Sequence, residues 1–140
     1  MVQLLDAELA IRDGKDHAFY AVYNKIDDIK HAVVAYSDNV PAGCGAMKKF
    51  SSDSMEVKRM FVRPEFRNNG IARMILAELE SWAFENSFRK CVLETGKMQP
   101  EAIALYLKCG YIRIPNYGQY VGVNNSVCFE KDLEKFIRQR

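Results

Sequence analysis

The spacing of apolar residues changes period along the chain, and each change marks an element. From 31 to 62 the period is two. His31–Tyr36 (HAVVAY), Pro41–Phe50 (PAGCGAMKKF) and Glu56–Val62 (EVKRMFV) are short runs of β-branched, small and aromatic residues. Ser37-Asp38-Asn39 and Ser51-Ser52-Asp53-Ser54 separate them with turn chemistry, so the runs predict antiparallel strands joined by short loops. Gly43 and Gly45, inside the second run, mark a bulge or a close backbone approach. After Arg63-Pro64, where proline fixes a turn, the period lengthens to that of a helix. Ile71, Ile75, Leu79 and Trp82 recur, with Ala72, Leu76 and Ala83 beside them; Arg73, Glu78, Glu80 and Glu85 mostly fall elsewhere on the wheel.

Phe88–Thr95 (FRKCVLET) is the next strand. A helix separates it from 56–62, so the two should run parallel. Gln99-Pro100 starts a second helix and Gly110 closes it with a left-handed cap. Tyr111–Ile114 and Asn125–Glu130 then form a closing antiparallel pair around the long loop PNYGQYVGVN. At the other end, Val2, Leu5 and Leu9 (Leu4 nearby) have the spacing of an amphipathic helix tail. A turn follows at Asp13–Asp16, and then the aromatic-rich HAFYAVYNKIDDI, read as a helix packing Phe19, Tyr20 and Tyr23 on the sheet. The whole is a mixed α/β sheet in a single domain, 1–140: antiparallel at first, with one parallel step.

Composition narrows the function classes. At 140 residues, 49% hydrophobic and 27% charged, the chain can bury a core without staples. A formal charge of +2, with bases interleaved among acids as in KDLEKFIRQR, leaves no electrostatic footprint for nucleic acid. No apolar run has the length of a membrane span, and no basic-then-apolar leader opens the chain. The expected location is cytoplasmic, without nucleic acid or membrane as partner. Cys44, Cys91, Cys109 and Cys128 form no C-x-x-C and have no close histidine, so reduced thiols and no metal are expected. Cys91 and Cys128 sit in apolar runs as small core residues.

The strand–turn–helix around residue 70 carries the candidate chemistry. Helix-opening amides have no intrahelical partner and stand at the positive end of the helix dipole, which suits a phosphate. Gly70 lets a ligand come close, Asn68 and Asn69 add small donors, and Arg67 adds a planar cation. An ordinary strand–helix turn with a surface arginine explains the same residues. No Gly-Lys-Ser/Thr is present for a nucleotide-triphosphate loop, and neither Gly70 nor Gly110 has a dinucleotide-fold context.

Arg67-Asn68-Asn69-Gly70-Ile71-Ala72 resembles motif A of the GNAT acetyltransferases, Arg/Gln-x-x-Gly-x-Gly/Ala. A second stretch, Gln99 to Tyr111, resembles their motif B, in which an Asn, an Ala, a Tyr and a Gly-aromatic pair recur at fixed spacing. The resemblance covers roughly residues 30 to 133. It implies a GNAT-like sheet whose parallel pair splays at the cofactor site, and acetyl-CoA as cosubstrate with its pyrophosphate wrapped by residues 67–72. It further implies main-chain amides of Met60, Phe61 and Val62 for the pantetheine, with Leu93, Glu94 and Thr95 facing them. Gln99 stands where the family often has an asparagine on the pantetheine arm. Family members put a β-strand before their first helix; none is read here, so that strand is expected to be absent.

By the same resemblance Tyr106 protonates the departing thiolate and Glu56 is the base, with Glu94 as its alternative. Tyr20, Tyr23, Tyr117 and Tyr120 would line the acceptor pocket, with Arg113 or Lys25 meeting an acceptor carboxylate. The implied activity is N-acetyl transfer by direct attack in a ternary complex, onto the primary amine of a small or amino-acid-like acceptor. A protein-lysine acetyltransferase, a coenzyme A-binding sensor or subunit without catalysis, and an interaction domain stay open. So does a homodimer.

Overall fold

The computed structural model describes residues 2–6 and 30–137. Among these residues seven strands form one sheet, in the order β1-β2-β3-β4-β5-β7-β6. They are β1 (Val2–Asp6), β2 (Lys30–Ser37), β3 (Val40–Lys49), β4 (Ser54–Val62), β5 (Lys90–Gly96), β6 (Ile112–Ile114) and β7 (Ser126–Asp132). The helices among the described residues are α1 (Ile71–Glu85), α2 (Pro100–Lys108) and the short α3 (Leu133–Ile137). None is long and apolar enough to cross a membrane.

As the sequence predicts, β2–β3 and β3–β4 are antiparallel and β4–β5 is parallel. β6 and β7 pair antiparallel, but β7 slots between β5 and β6 and runs along β5 from Gly96↔Ser126 to Lys90↔Asp132. The expectation of an absent first strand is corrected. Val2–Asp6 is that strand, antiparallel to β2 from Val2↔Ser37 to Asp6↔Val33. Over five residues, helical and strand spacing of apolar positions are hard to separate, and the open edge of β2 decides in favour of pairing. Residues 7–29, with the proposed turn, aromatic helix, Tyr20, Tyr23 and Lys25, lie outside the described residues.

The core lies between the sheet and α1. Ile71, Ile75, Leu76, Leu79 and Ala83 are buried against Val33, Ala35, Met47 and Val57. The two glycines of β3 allow this close approach. A Cβ on Gly45 would stand 2.6 Å from Ile75 Cγ2 and 2.6 Å from Met60 Sδ; one on Gly43 would stand 2.8 Å from the Phe61 carbonyl oxygen. Gly45→Ala should therefore destabilise the fold by about 1–3 kcal/mol through overpacking. A urea titration measures this, and an unchanged midpoint would show that α1 lifts off freely.

Glu80 departs from the helical wheel. It is 1% exposed, not solvated. Its Oε1 accepts from Lys131 Nζ at 2.8 Å and its Oε2 from the Tyr111 hydroxyl at 2.9 Å. Position 80 follows Leu76 by one turn and precedes Ala83 by three residues, so it shares the edge of the apolar stripe.

Candidate active site

Parallel pairing of β4 with β5 stops early. The partners are Ser54↔Lys90, Met55↔Cys91 and Glu56↔Val92, although β4 continues to Val62 and β5 to Gly96. A wedge opens beyond Glu56. Its origin is a β-bulge: Cys44 pairs with Phe61 but Ala46 with Lys58, so Arg59 and Met60 together oppose Gly45. Arg59 takes φ 60°, rare for a residue with a Cβ.

The extra residue inverts the alternation of β4. Met55 and Val57 belong to the core beneath α1, and Met60 and Val62, past Arg59, are partly buried against it. Phe61 turns to the opposite face, 51% exposed, in a cavity of about 610 Å³ shared with Val34, Cys44 and the Arg63–Glu65 turn. The Arg63 amide donates to the Ala42 carbonyl at 2.8 Å, and the Phe61 carbonyl lies over Gly43. Alternation then directs the main-chain groups of Met60 and Val62 into the wedge and those of Phe61 toward β3.

At the wedge mouth, Pro64–Phe66 makes a 3-10 turn into the loop. Asn68 (φ 66°) and Gly70 (φ 78°) are both left-handed, and no side chain caps α1. The amides of Ile71 and Ala72 in its first turn thus lack helical partners. Asn69 Nδ2 donates to the Phe66 carbonyl at 3.2 Å, away from the helix end. Arg67 Nε donates to the Val62 carbonyl at 2.8 Å, with its guanidinium 5.8 Å from the Phe61 ring centroid. The cation is pinned to the wedge edge, and nothing stands within 4 Å of where a Gly70 Cβ would be.

Tyr106 of α2 is 7% exposed and packs its ring on Tyr111 and Phe129. Its hydroxyl has no hydrogen-bond partner among the described residues. Burial, and secondarily Cys109, pushes this phenol up to about 12, so it remains a proton donor at neutral pH. Gln99 precedes α2 and is exposed, its main-chain N–H donating to the Gly96 carbonyl at 3.1 Å. On β5, Leu93 and Thr95 are buried, and Glu94 accepts from Ser126 Oγ at 2.7 Å.

Glu56 is 4% exposed and stands at the last β4–β5 pair. The Tyr117 hydroxyl donates to its Oε2 at 2.7 Å, and Lys58 Nζ lies 3.8 Å from Oε1. Burial, then the bond to Glu56, holds the Tyr117 phenol far above its ordinary value, so it stays the donor. Tyr120 meets Tyr117 edge-on and accepts from Lys58 Nζ at 3.4 Å. Asn116 Nδ2 ties the loop by donating to the carbonyls of Tyr120 and Val123. Lys48, Glu56, Val57, Lys58, Arg59, Glu94 and Tyr120 enclose a cavity of about 270 Å³.

The structure thus brings Glu56, Tyr117 and Tyr120 together and sets residues 67–72 at the wedge mouth. Arg113, opposite Phe129 on β6, is not among the residues enclosing the cavity. Sequence reasoning missed the direct Tyr117–Glu56 bond and the cations Lys48, Lys58 and Arg59. One signal was available: a hairpin turning at 51–54 sets Lys48 across from Glu56.

The acetyltransferase (GNAT) family model matches residues 2–111. The IAA acetyltransferase of Azospirillum brasilense is 37% identical over 107 residues, which are 76% of this chain and 69% of that protein. A candidate acyl-CoA N-acyltransferase of Klebsiella pneumoniae subsp. pneumoniae superposes with a TM-score of 0.81 at 28% identity, covering 95% of this chain and 98% of the other. A GNAT family acetyltransferase from Elizabethkingia anophelis, solved with acetyl-CoA bound, shares the fold at TM-score 0.69 and 15% identity, covering 94% of this chain and 97% of that one. The splayed parallel pair, the uncapped helix behind it and these likenesses agree: the chain belongs to the acetyltransferase (GNAT) family, and is an acyltransferase by that membership.

Proposed function

We propose that the chain moves the acetyl group of acetyl-CoA directly to the primary amine of a small, amino-acid-like acceptor, with both substrates held in one ternary complex. The observation that carries this reading is the parting of β4 from β5 immediately beyond Glu56. Main-chain groups there have no strand partner among the described residues, and such groups are costly unless a side chain, as Arg67 does for the Val62 carbonyl, or a ligand pairs with them. The pantetheine amides fit the main-chain edge at Met60 and Val62, beside Phe61, with the exposed Gln99 as a further contact. The diphosphate fits the amides of Ile71 and Ala72 behind Gly70, with Asn68, Asn69 and Arg67 around it. The buried Tyr106 hydroxyl, without a hydrogen-bond partner among the described residues, fits a thiolate as its acceptor. Acetyl-CoA, when bound, supplies the acyl group already activated as a thioester.

The residues of the chain handle the protons. An alkyl amine, with a pKa near about 10.4, is more than about 99% protonated at pH 7 and must lose a proton before attack. Glu56 takes it, held in place by Tyr117 with Oε1 turned toward Lys58. Tyr106 returns a proton to the departing sulfur. Burial raises the Cys109 thiol, which disfavours an acetyl-cysteine route. Tyr117 and Tyr120 form the described part of the acceptor wall.

Release of free thiol from acetyl-CoA, across a panel of amines, tests the reading directly. Coenzyme binding without thiol release for any amine would replace the enzyme by a non-catalytic coenzyme A module. Glu56→Gln should lower kcat by about a hundredfold at unchanged calorimetric affinity for coenzyme A. Undiminished turnover would remove Glu56 from the mechanism.

A further inference from the structure

The cavity beside Glu56 has an uneven charge. Its walls hold three cations, Lys48, Lys58 and Arg59, against two carboxylates, Glu56 and Glu94. Lys58 is engaged, lying 3.8 Å from Glu56 Oε1 and donating to Tyr120. Lys48 and Arg59 have no ion-pair partner among the described residues. Lys48 is half-buried, where an unpaired ammonium loses hydration. Arg59 owes its place to the bulge, which keeps it in a left-handed conformation uncomfortable for any residue with a Cβ. Strain of this kind persists only where the surrounding structure enforces it, and it gathers at ligand sites.

We infer that Lys48 and Arg59 form an anion subsite of the acceptor pocket, so that the acceptor is an amine that also carries a carboxylate or phosphate. The inference rests on the acetyl-transfer reading above, because it takes the neighbouring Glu56 as the place where the amine reacts. Lys48 and Glu56 face each other across the β3–β4 ladder. An acceptor lying across these two strands sets its amine at Glu56 and its anionic end between an ammonium and a guanidinium. The guanidinium fork suits the paired oxygens of either anion. A volume of about 270 Å³ suits a compact molecule of amino-acid size. The unbalanced positive charge also draws such a molecule in and repels simple polyamines.

The test uses compounds matched except for the anionic group: L-phenylalanine with phenethylamine, L-ornithine with putrescine, and phosphoethanolamine with ethanolamine. Each is titrated calorimetrically into the whole chain, with and without saturating coenzyme A. At least one member with the carboxylate or phosphate should bind tenfold or more tighter than its twin without it. In Lys48→Gln/Arg59→Gln that preference should shrink to within twofold, with coenzyme A affinity unchanged as the check on folding. The single variants should each lose part of it. The carboxylate and phosphate arms separate the two anion chemistries. Equal binding within every pair, or a preference that survives in the double variant, overturns the subsite. The coenzyme A titration scores the acetyl-transfer reading separately: absence of coenzyme binding sinks that reading, while the pairs titrated without coenzyme still report on Lys48 and Arg59.

Discussion

Tyr106→Phe should leave the protein at least as stable as its parent while kcat falls by about a hundredfold, the usual scale of general-acid catalysis. The two halves of that result come from one observation. The Tyr106 hydroxyl is set in a nearly closed environment and has no protein partner among the described residues. Removing it therefore breaks no bond, whereas a paired buried hydroxyl would cost about 1 kcal/mol on deletion. The ring contacts with Tyr111 and Phe129 survive in phenylalanine. Affinity for coenzyme A should be unchanged within twofold, because a proton delivered late in the reaction is not part of ground-state binding. The pH dependence follows in sign. With the phenol pushed up to about 12, the donor form persists through the alkaline range in which an acceptor amine deprotonates. Deprotonation of Tyr106 should therefore cause no loss of kcat below roughly pH 10. Thermal melts, calorimetry and a kcat–pH profile measure these quantities. Full turnover in the variant would make Tyr106 a packing residue only.

Lys131→Met should be the most destabilising single change outside the site. Glu80 and Lys131 are almost wholly buried, and the ammonium lies 2.8 Å from the carboxylate. Removing one partner leaves the other charge in the core, at a cost of about 3–5 kcal/mol. For a domain of this size that lowers Tm by roughly 10 °C or more. Replacing the whole cluster with apolar residues, as Glu80→Leu/Tyr111→Phe/Lys131→Met, should recover most of the loss, because no charge or hydroxyl is then stranded. Urea denaturation of the single and triple variants decides between an ion pair that matters through its burial and one that is incidental. A single variant with unchanged midpoint would show that Glu80 finds other compensation. Tyr111 links this cluster to the site, since its hydroxyl bonds Glu80 and its ring touches that of Tyr106.

Much of the fold was legible because periods of two and near four are long-lived in this sequence. Strands from 31 to 62, the helix from Gly70 and the parallel step to 88–95 all stand in the residue pattern. Failures fall where a local pattern is too short or a distant partner decides. Val2–Asp6 becomes a strand through the edge of β2, which lies some thirty residues away. Glu80 is buried with Lys131 of β7 and with Tyr111, which lies just before β6, and a helical wheel records neither. The turn at residues 67–72 and Tyr106 were singled out by motif spacing, which is local. Lys48, Lys58 and Arg59 were missed because cross-strand register and a bulge bring them together. A reading confined to the spacing of residues along the chain sees neither.

The surplus residue at Arg59 acts on phase more than on length. A strand of the same span without it would present Phe61 to the hydrophobic layer and swing Met60 and Val62 outward, with their peptide groups reassigned in step. Homologues lacking that insertion could preserve the same cleft only by exchanging the chemical character of three consecutive positions. Ungapped comparison through this segment would therefore equate side chains that occupy opposite surfaces of the molecule.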